Sequence, residues 1–232
     1  VLKSQTPEDA VKISGALFTY ALPTKNVKLM HLFCEFIGDI DKPFFSNYPT
    51  IPELPCKPNP LIIAVQFGQL EPVKALIEYG ADVNTATVME NGEIMITPLS
   101  VSILNGDGEM AMLLIENGAD INYTMNNDLD ILICAINARN KGNISCQQVI
   151  DCVIERGVTV KDVHVLAAMK MRDADLMNKL LPIWDPKIEH SKVMQCLPIH
   201  SVAKWRGNLA GSERTYHVIK NLIDKGYDVN AK

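Results

Sequence analysis

PLIIAVQFGQLEPVKALIEYGADVN, residues 60–84, returns 38 residues later as PLSVSILNGDGEMAMLLIENGADIN, residues 98–122. Pro60 falls on Pro98, Gly68 on Gly106, Gly80 on Gly118 and Asn84 on Asn122. A fixed period of this length decides the architecture before any local reading does. Each copy holds two short apolar-periodic segments with a Gly between them and a Gly-Ala-Asp close, which is a helix–turn–helix unit with a loop to the next. Pro suits the first helical position, where its missing N–H costs nothing, and Gly supplies the left-handed residue that ends a helix.

The opening Thr97-Pro98-Leu99 and the close LLIENGADIN resemble an ankyrin repeat. That resemblance implies an all-α fold: an ankyrin-repeat α-solenoid of stacked helix–turn–helix units with β-hairpin or loop fingers. Worked outward, it covers residues 1–232 as a single domain of about six repeats, at 7–41, 59–84, 97–122, 130–160, 162–185 and 197–230. The first unit is degenerate, but a shift of 43 residues lays Asp39-Ile40-Asp41 on Asp82-Val83-Asn84. Pro23 is expected just beyond its first helix. The fourth unit runs from Asp130, with Asn137 to Gln148 read as a polar insertion in the inter-helix turn. In the fifth, Leu166-Ala167-Ala168 matches the family's pattern. The sixth opens at Leu197-Pro198-Ile199-His200, has an enlarged turn around Asn208 to Ser212, and closes at Gly226. The chain stops where another loop would begin, so a fragment of a longer protein is expected.

Two loops stand out. Residues 42–58 are Pro-rich, which bars both helix and ladder, and are read as a finger carrying Phe44, Phe45 and Tyr48. In residues 85–96, Asn91-Gly92 is a two-residue hairpin turn flanked by Val88 and Met89 on one side and Ile94, Met95 and Ile96 on the other.

The charge is unevenly spread. Residues 59–130 hold Lys74 alone against eleven acids, while residues 161–232 hold twelve bases and eight acids. The acids either solvate a surface or steer a basic partner. They disfavour nucleic acid, whose phosphates would meet carboxylates. No apolar run is long enough to span a membrane. Six cysteines without a Cys-x-x-Cys pattern or a dense framework point to thiols in a reducing, cytoplasmic setting.

Little here resembles catalysis. Cys196 and His200 lie one helical turn apart, but His200 sits where the family's pattern has its own structural His, and two ligands do not make a metal site. His31, His164 and His217 stand alone. The pairs Asp128/Asp130 and Asp173/Asp175 read as solvated loop carboxylates. No catalytic, cofactor-binding or metal-binding residue is assigned, and no small-molecule substrate is expected. The resemblance implies a protein–protein interaction module that works through its fingers and the exposed ends of its first helices. Substrate targeting within a larger enzyme, or a bacterial effector acting in a host cytosol, is the alternative. Those helix ends are Gln66/Phe67, Leu104/Asn105, Asn137/Ala138, Met169/Lys170 and Lys204/Trp205. With Phe44, Phe45, Tyr48, Met89 and Ile94 from the fingers, they form the candidate partner surface. The aromatic members are the expected anchors.

Overall fold

The computed structural model describes residues 7–42, 59–88, 95–126, 129–185 and 209–225. They are mostly helical, in two compact units, residues 1–131 and 132–232. Unit 1 has three helix pairs: α1 (Pro7–Thr24) with α2 (Val27–Phe36), α3 (Pro60–Gln66) with α4 (Leu70–Glu78), and α5 (Pro98–Leu104) with α6 (Gly108–Glu116). Two short antiparallel strand pairs serve as fingers, β1 (Thr87–Val88) with β2 (Met95–Ile96), and β3 (Thr124–Asn126) with β4 (Leu129–Asp130). Unit 2 contains α7 (Ile131–Asn140, its first residue still in unit 1), α8 (Cys146–Glu155), α9 (Asp162–Lys170), α10 (Ala174–Leu180) and α11 (Leu209–Asp224).

The first helices are short because both ends are chemically marked. Asn59 Oδ1 accepts the amide of Ile62 at 2.9 Å ahead of Pro60. At the next repeat Thr97 and Ser100 cap each other reciprocally ahead of Pro98. Each cap satisfies amides that the first helical turn leaves open. Between the caps almost every side chain is buried, from Leu61 to Val65 and from Leu99 to Ile103. These helices therefore form the core of unit 1, with α3 packed on α5 and α2 on α4. Gly80, Gly118 and Gly157 close the second helices at φ values of +90°, +89° and +79°. There the amide of the following residue returns to a carbonyl inside the helix, Ala81 to Leu76 and Ala119 to Leu114. Gly226 lies outside the described residues.

The Gly-Ala-Asp-x-Asn close links each repeat to the next. Asp82 accepts the amide of Asn84, and Asp120 that of Asn122, both at 2.9 Å. Asn84 then reaches forward, accepting the amide of Asp120 at 2.7 Å and donating to the carbonyl of Gly118 at 3.1 Å. The degenerate first unit does the same: Asp39 accepts from Asp41, and Asp41 accepts the amide of Asp82 at 3.0 Å. Asn84→Ala removes two hydrogen bonds between repeats, and urea unfolding is expected to show a loss of about 1–2 kcal/mol.

Several expected boundaries shift. α1 continues through Pro23 to Thr24. α7 continues to Asn140, so the polar insertion read from Asn137 to Gln148 reduces to a turn over residues 141–145. The enlarged turn read around Asn208 to Ser212 is already helical from Leu209. Small and polar residues suggested turns at both places. At α7 the helix is retained because Ala138 is buried and Arg139 finds tertiary partners.

Candidate functional site

Among the described residues one inter-helix turn is built five times. Its middle residue is left-handed: Lys25, Gly68, Gly106, Gly142 and Arg172, with φ between +52° and +104°. The amide of the next residue donates to a carbonyl five positions back: Asn26 to Ala21, Gln69 to Ala64, Asp107 to Ser102, Asn143 to Ala138 and Asp173 to Ala168. That bond reverses the chain and brings the last residues of each first helix to the surface. The residues so presented are Pro23/Thr24, Gln66/Phe67 and Leu104/Asn105 in unit 1, and Asn140/Lys141 and Lys170/Met171 in unit 2.

Two of these are large, apolar and exposed. Phe67 is 50 % exposed and Leu104 is 59 % exposed, although residues 60–65 and 98–103 before them are buried. Asn105 donates to the carbonyl of Gln66, tying the two helix ends together. Gln66 and Met169 are half-buried and Lys170 is exposed. The pair Asn137/Ala138 is not at a helix end, because α7 is longer than expected; Ala138 is buried and Asn140/Lys141 take its place. Phe44, Phe45, Tyr48, Met89, Ile94, Lys204 and Trp205, like Cys196 and His200, lie outside the described residues.

The β1–β2 finger has the register Thr87 opposite Ile96 and Val88 opposite Met95. Ile96 is buried and Met95 exposed, and the Tyr123 hydroxyl donates to the Met95 carbonyl at 3.2 Å. On the second finger Met125 is buried and Leu129 exposed. Each finger so far as described thus anchors one apolar side chain and shows another.

The acids of residues 59–130 fall into two groups. Asp82 and Asp120 close repeats, Asp107 caps α6 by accepting the amide of Met110, and Asp130 is buried rather than solvated. Asp173 likewise caps α10 and pairs with Arg139, and Asp175 pairs with Arg214. Among the described residues the acids left to face water are Glu71 and Glu109 in the first turns of α4 and α6, and Glu78 and Glu116 in their last turns; Glu90, Glu93 and Asp128 lie outside the described residues. They lie on the second helices, Glu71 and Glu109 just past the turns that carry Phe67 and Leu104, Glu78 and Glu116 at the opposite ends. Lys74 sits among them, its amine held above its usual pKa by the hydrogen bond to Glu71 and then by the surrounding carboxylates.

His164 is not isolated. It is fully buried, and its Nδ1 accepts the amide of Lys161 at 2.9 Å, the place that Ser100 fills in the third repeat. The threonine and proline that normally announce this histidine are Lys161 and Asp162 here, which hid it. His31 packs on Tyr79, ring centroids 5.7 Å apart. Cys34 has its thiol pushed up to about 12 by burial, so it is not a thiolate at neutral pH. Among the described residues no group of three or more His, Cys, Asp or Glu side chains is placed to hold a metal ion. No described helix is long and apolar enough to cross a membrane.

A family model of ankyrin repeats, in three copies, matches residues 61–161. Residues 61–161 are ankyrin repeats. The matched span runs from α3 through α8. The same turn recurs on either side of the match, at Lys25 in the first ankyrin-like pair and at Arg172 in the last complete one. No curated protein matches the chain. Ankyrin repeats are generally protein–protein interaction modules and the family is typically non-catalytic.

Proposed function

We propose that unit 1 binds a protein partner across the row formed by Phe67, Leu104 and Asn105, with Met95 of the adjoining finger at its edge. The observation that carries this reading is the exposure of Phe67 and Leu104 at the ends of otherwise buried helices. Their side chains contribute little to the core, and large apolar groups left in water mark contact sites more often than they serve stability. Glu71, Glu78, Glu109 and Glu116 belong to the second helices, and their role in this reading is to raise the local concentration of a partner with basic residues.

The test compares variants in capture from extract. Phe67→Ala combined with Leu104→Ala should melt within about 2 °C of the parent, because each side chain is already half in water. Captured partner should fall at least about tenfold, the scale of losing an interface anchor. Glu71→Gln with Glu109→Gln should retain that partner but slow its association at low salt, an effect that disappears as exposed charges are screened. A double alanine variant that melts early would return both residues to the core. One that melts normally and captures the same proteins at the same level would remove the row from the binding surface.

A further inference from the structure

In unit 2 the equivalent positions are basic rather than apolar. Lys141, Lys170 and Arg172 are exposed at the ends of α7 and α9 and in the turn that follows α9. None of the three has a side-chain ion pair among the described residues, whereas the neighbouring acids are matched. Asp173 pairs with Arg139, Asp151 with Lys179 at 2.6 Å, and Asp175 with Arg214 at 2.6 Å. The Arg139–Asp173 pair also sets the geometry, because it ties the end of α7 to the α9–α10 turn. Lys141 is two residues beyond Arg139 and Arg172 immediately precedes Asp173, so the pair brings together the two turns that carry these bases.

Arg172 stands out on backbone grounds. Its φ is +54°, at the turn position where Gly68, Gly106 and Gly142 serve the other repeats of the matched family pattern. An L-residue is strained there, and an arginine offers the turn nothing that glycine lacks. A strained position kept by a charged, exposed side chain points to use of the charge. Lys25 holds the same position in the first pair, again as an exposed base.

We infer that the strip of Lys141, Lys170 and Arg172 is a docking site for an acidic peptide segment of a partner protein. Met169 and Met171, both half-buried, flank the charges with adaptable apolar surface suited to peptide side chains. A nucleic acid fits less well. The strip has no aromatic side chain on which a base would stack. The site is distinct from the row of unit 1, and its test does not use the Phe67 or Leu104 variants.

The probe is a fluorescein-labelled deca-glutamate peptide titrated with the full chain by anisotropy, with a labelled oligothymidylate of equal charge in parallel. Saturable peptide binding that weakens as salt rises is expected. Lys141→Gln with Lys170→Gln should weaken it by at least about tenfold. Arg172→Gly should weaken it by about threefold or more while raising the melting temperature by about 2–4 °C, since glycine relieves the turn. Binding lost together with a rise in stability is a combination that a structural role for Arg172 would not produce. The inference is overturned if the peptide does not bind, if the variants bind it as the parent does, if the oligothymidylate binds more tightly than the peptide, or if Arg172→Gly melts lower.

Discussion

Trp184→Ala is expected to cost about 3–5 kcal/mol of stability, the range for removing a fully buried aromatic ring. Trp184 follows α10 and is 1 % exposed. Its indole Nε1 donates to Asp162 Oδ1 at 2.8 Å, and that carboxylate is itself buried at the start of α9. Its carbonyl accepts Lys225 Nζ at 2.7 Å from the end of α11. One residue thus ties the helix pair before it to the helix after it. Trp184→Phe separates the two contributions. Phenylalanine keeps most of the ring but leaves the Asp162 carboxylate without its indole donor, so a loss of about 1–3 kcal/mol is expected. Urea unfolding followed by circular dichroism measures both. If the phenylalanine variant is as stable as the parent, the Asp162 bond carries nothing.

Asp173→Ala is expected to cost about 2–3 kcal/mol by the same measurement. The side chain has two tasks. Oδ1 accepts the Leu176 amide at 3.0 Å and so caps α10, worth about 1 kcal/mol. Oδ2 pairs with Arg139, which also donates to Gln147, which in turn donates to Asp151. The arginine and aspartate side chains are only 17 % and 21 % exposed, so removing the acid leaves a largely desolvated guanidinium with one partner fewer. That penalty is smaller than for a fully buried pair because some water still reaches it. Asp173→Asn keeps a capping oxygen and loses the charge, and should fall about midway. An asparagine variant indistinguishable from alanine would put the whole effect in the ion pair.

What could be read from the chain, and what could not, follows from where the information resides. The repeats were legible because prolines, glycines and the Asp-x-Asn close act through local backbone geometry, which any copy of the pattern reproduces. The first unit was legible for the same reason: Asp39 and Asp41 keep the hydrogen bonds even though the glycine is gone. The full length of α7 was not legible, because Asn137, Arg139 and Asn140 suggest a turn until Arg139 is seen to meet Asp173 from 34 residues away. His164 was missed because its cap is made by a backbone amide, leaving its neighbours free to vary in type. Asp130 was read as solvated because a carboxylate in a polar segment usually is, and its burial depends on packing that no spacing records. The exposure of Phe67 and Leu104 follows from their place after the buried stripe, whereas the exposure of Lys141 and Arg172 depends on where the turns of unit 2 fall.

Photocrosslinking tests most directly whether the row at Phe67 and Leu104 faces a partner. Phe67→p-benzoylphenylalanine places a photoreactive ketone on the row, and the same replacement at Tyr79, exposed at the far end of α4, serves as the control. After irradiation in extract, a covalent adduct to one protein is expected from position 67 and not from position 79. An adduct from position 79 alone, or none from 67 while the partner is still captured, would place the binding surface elsewhere.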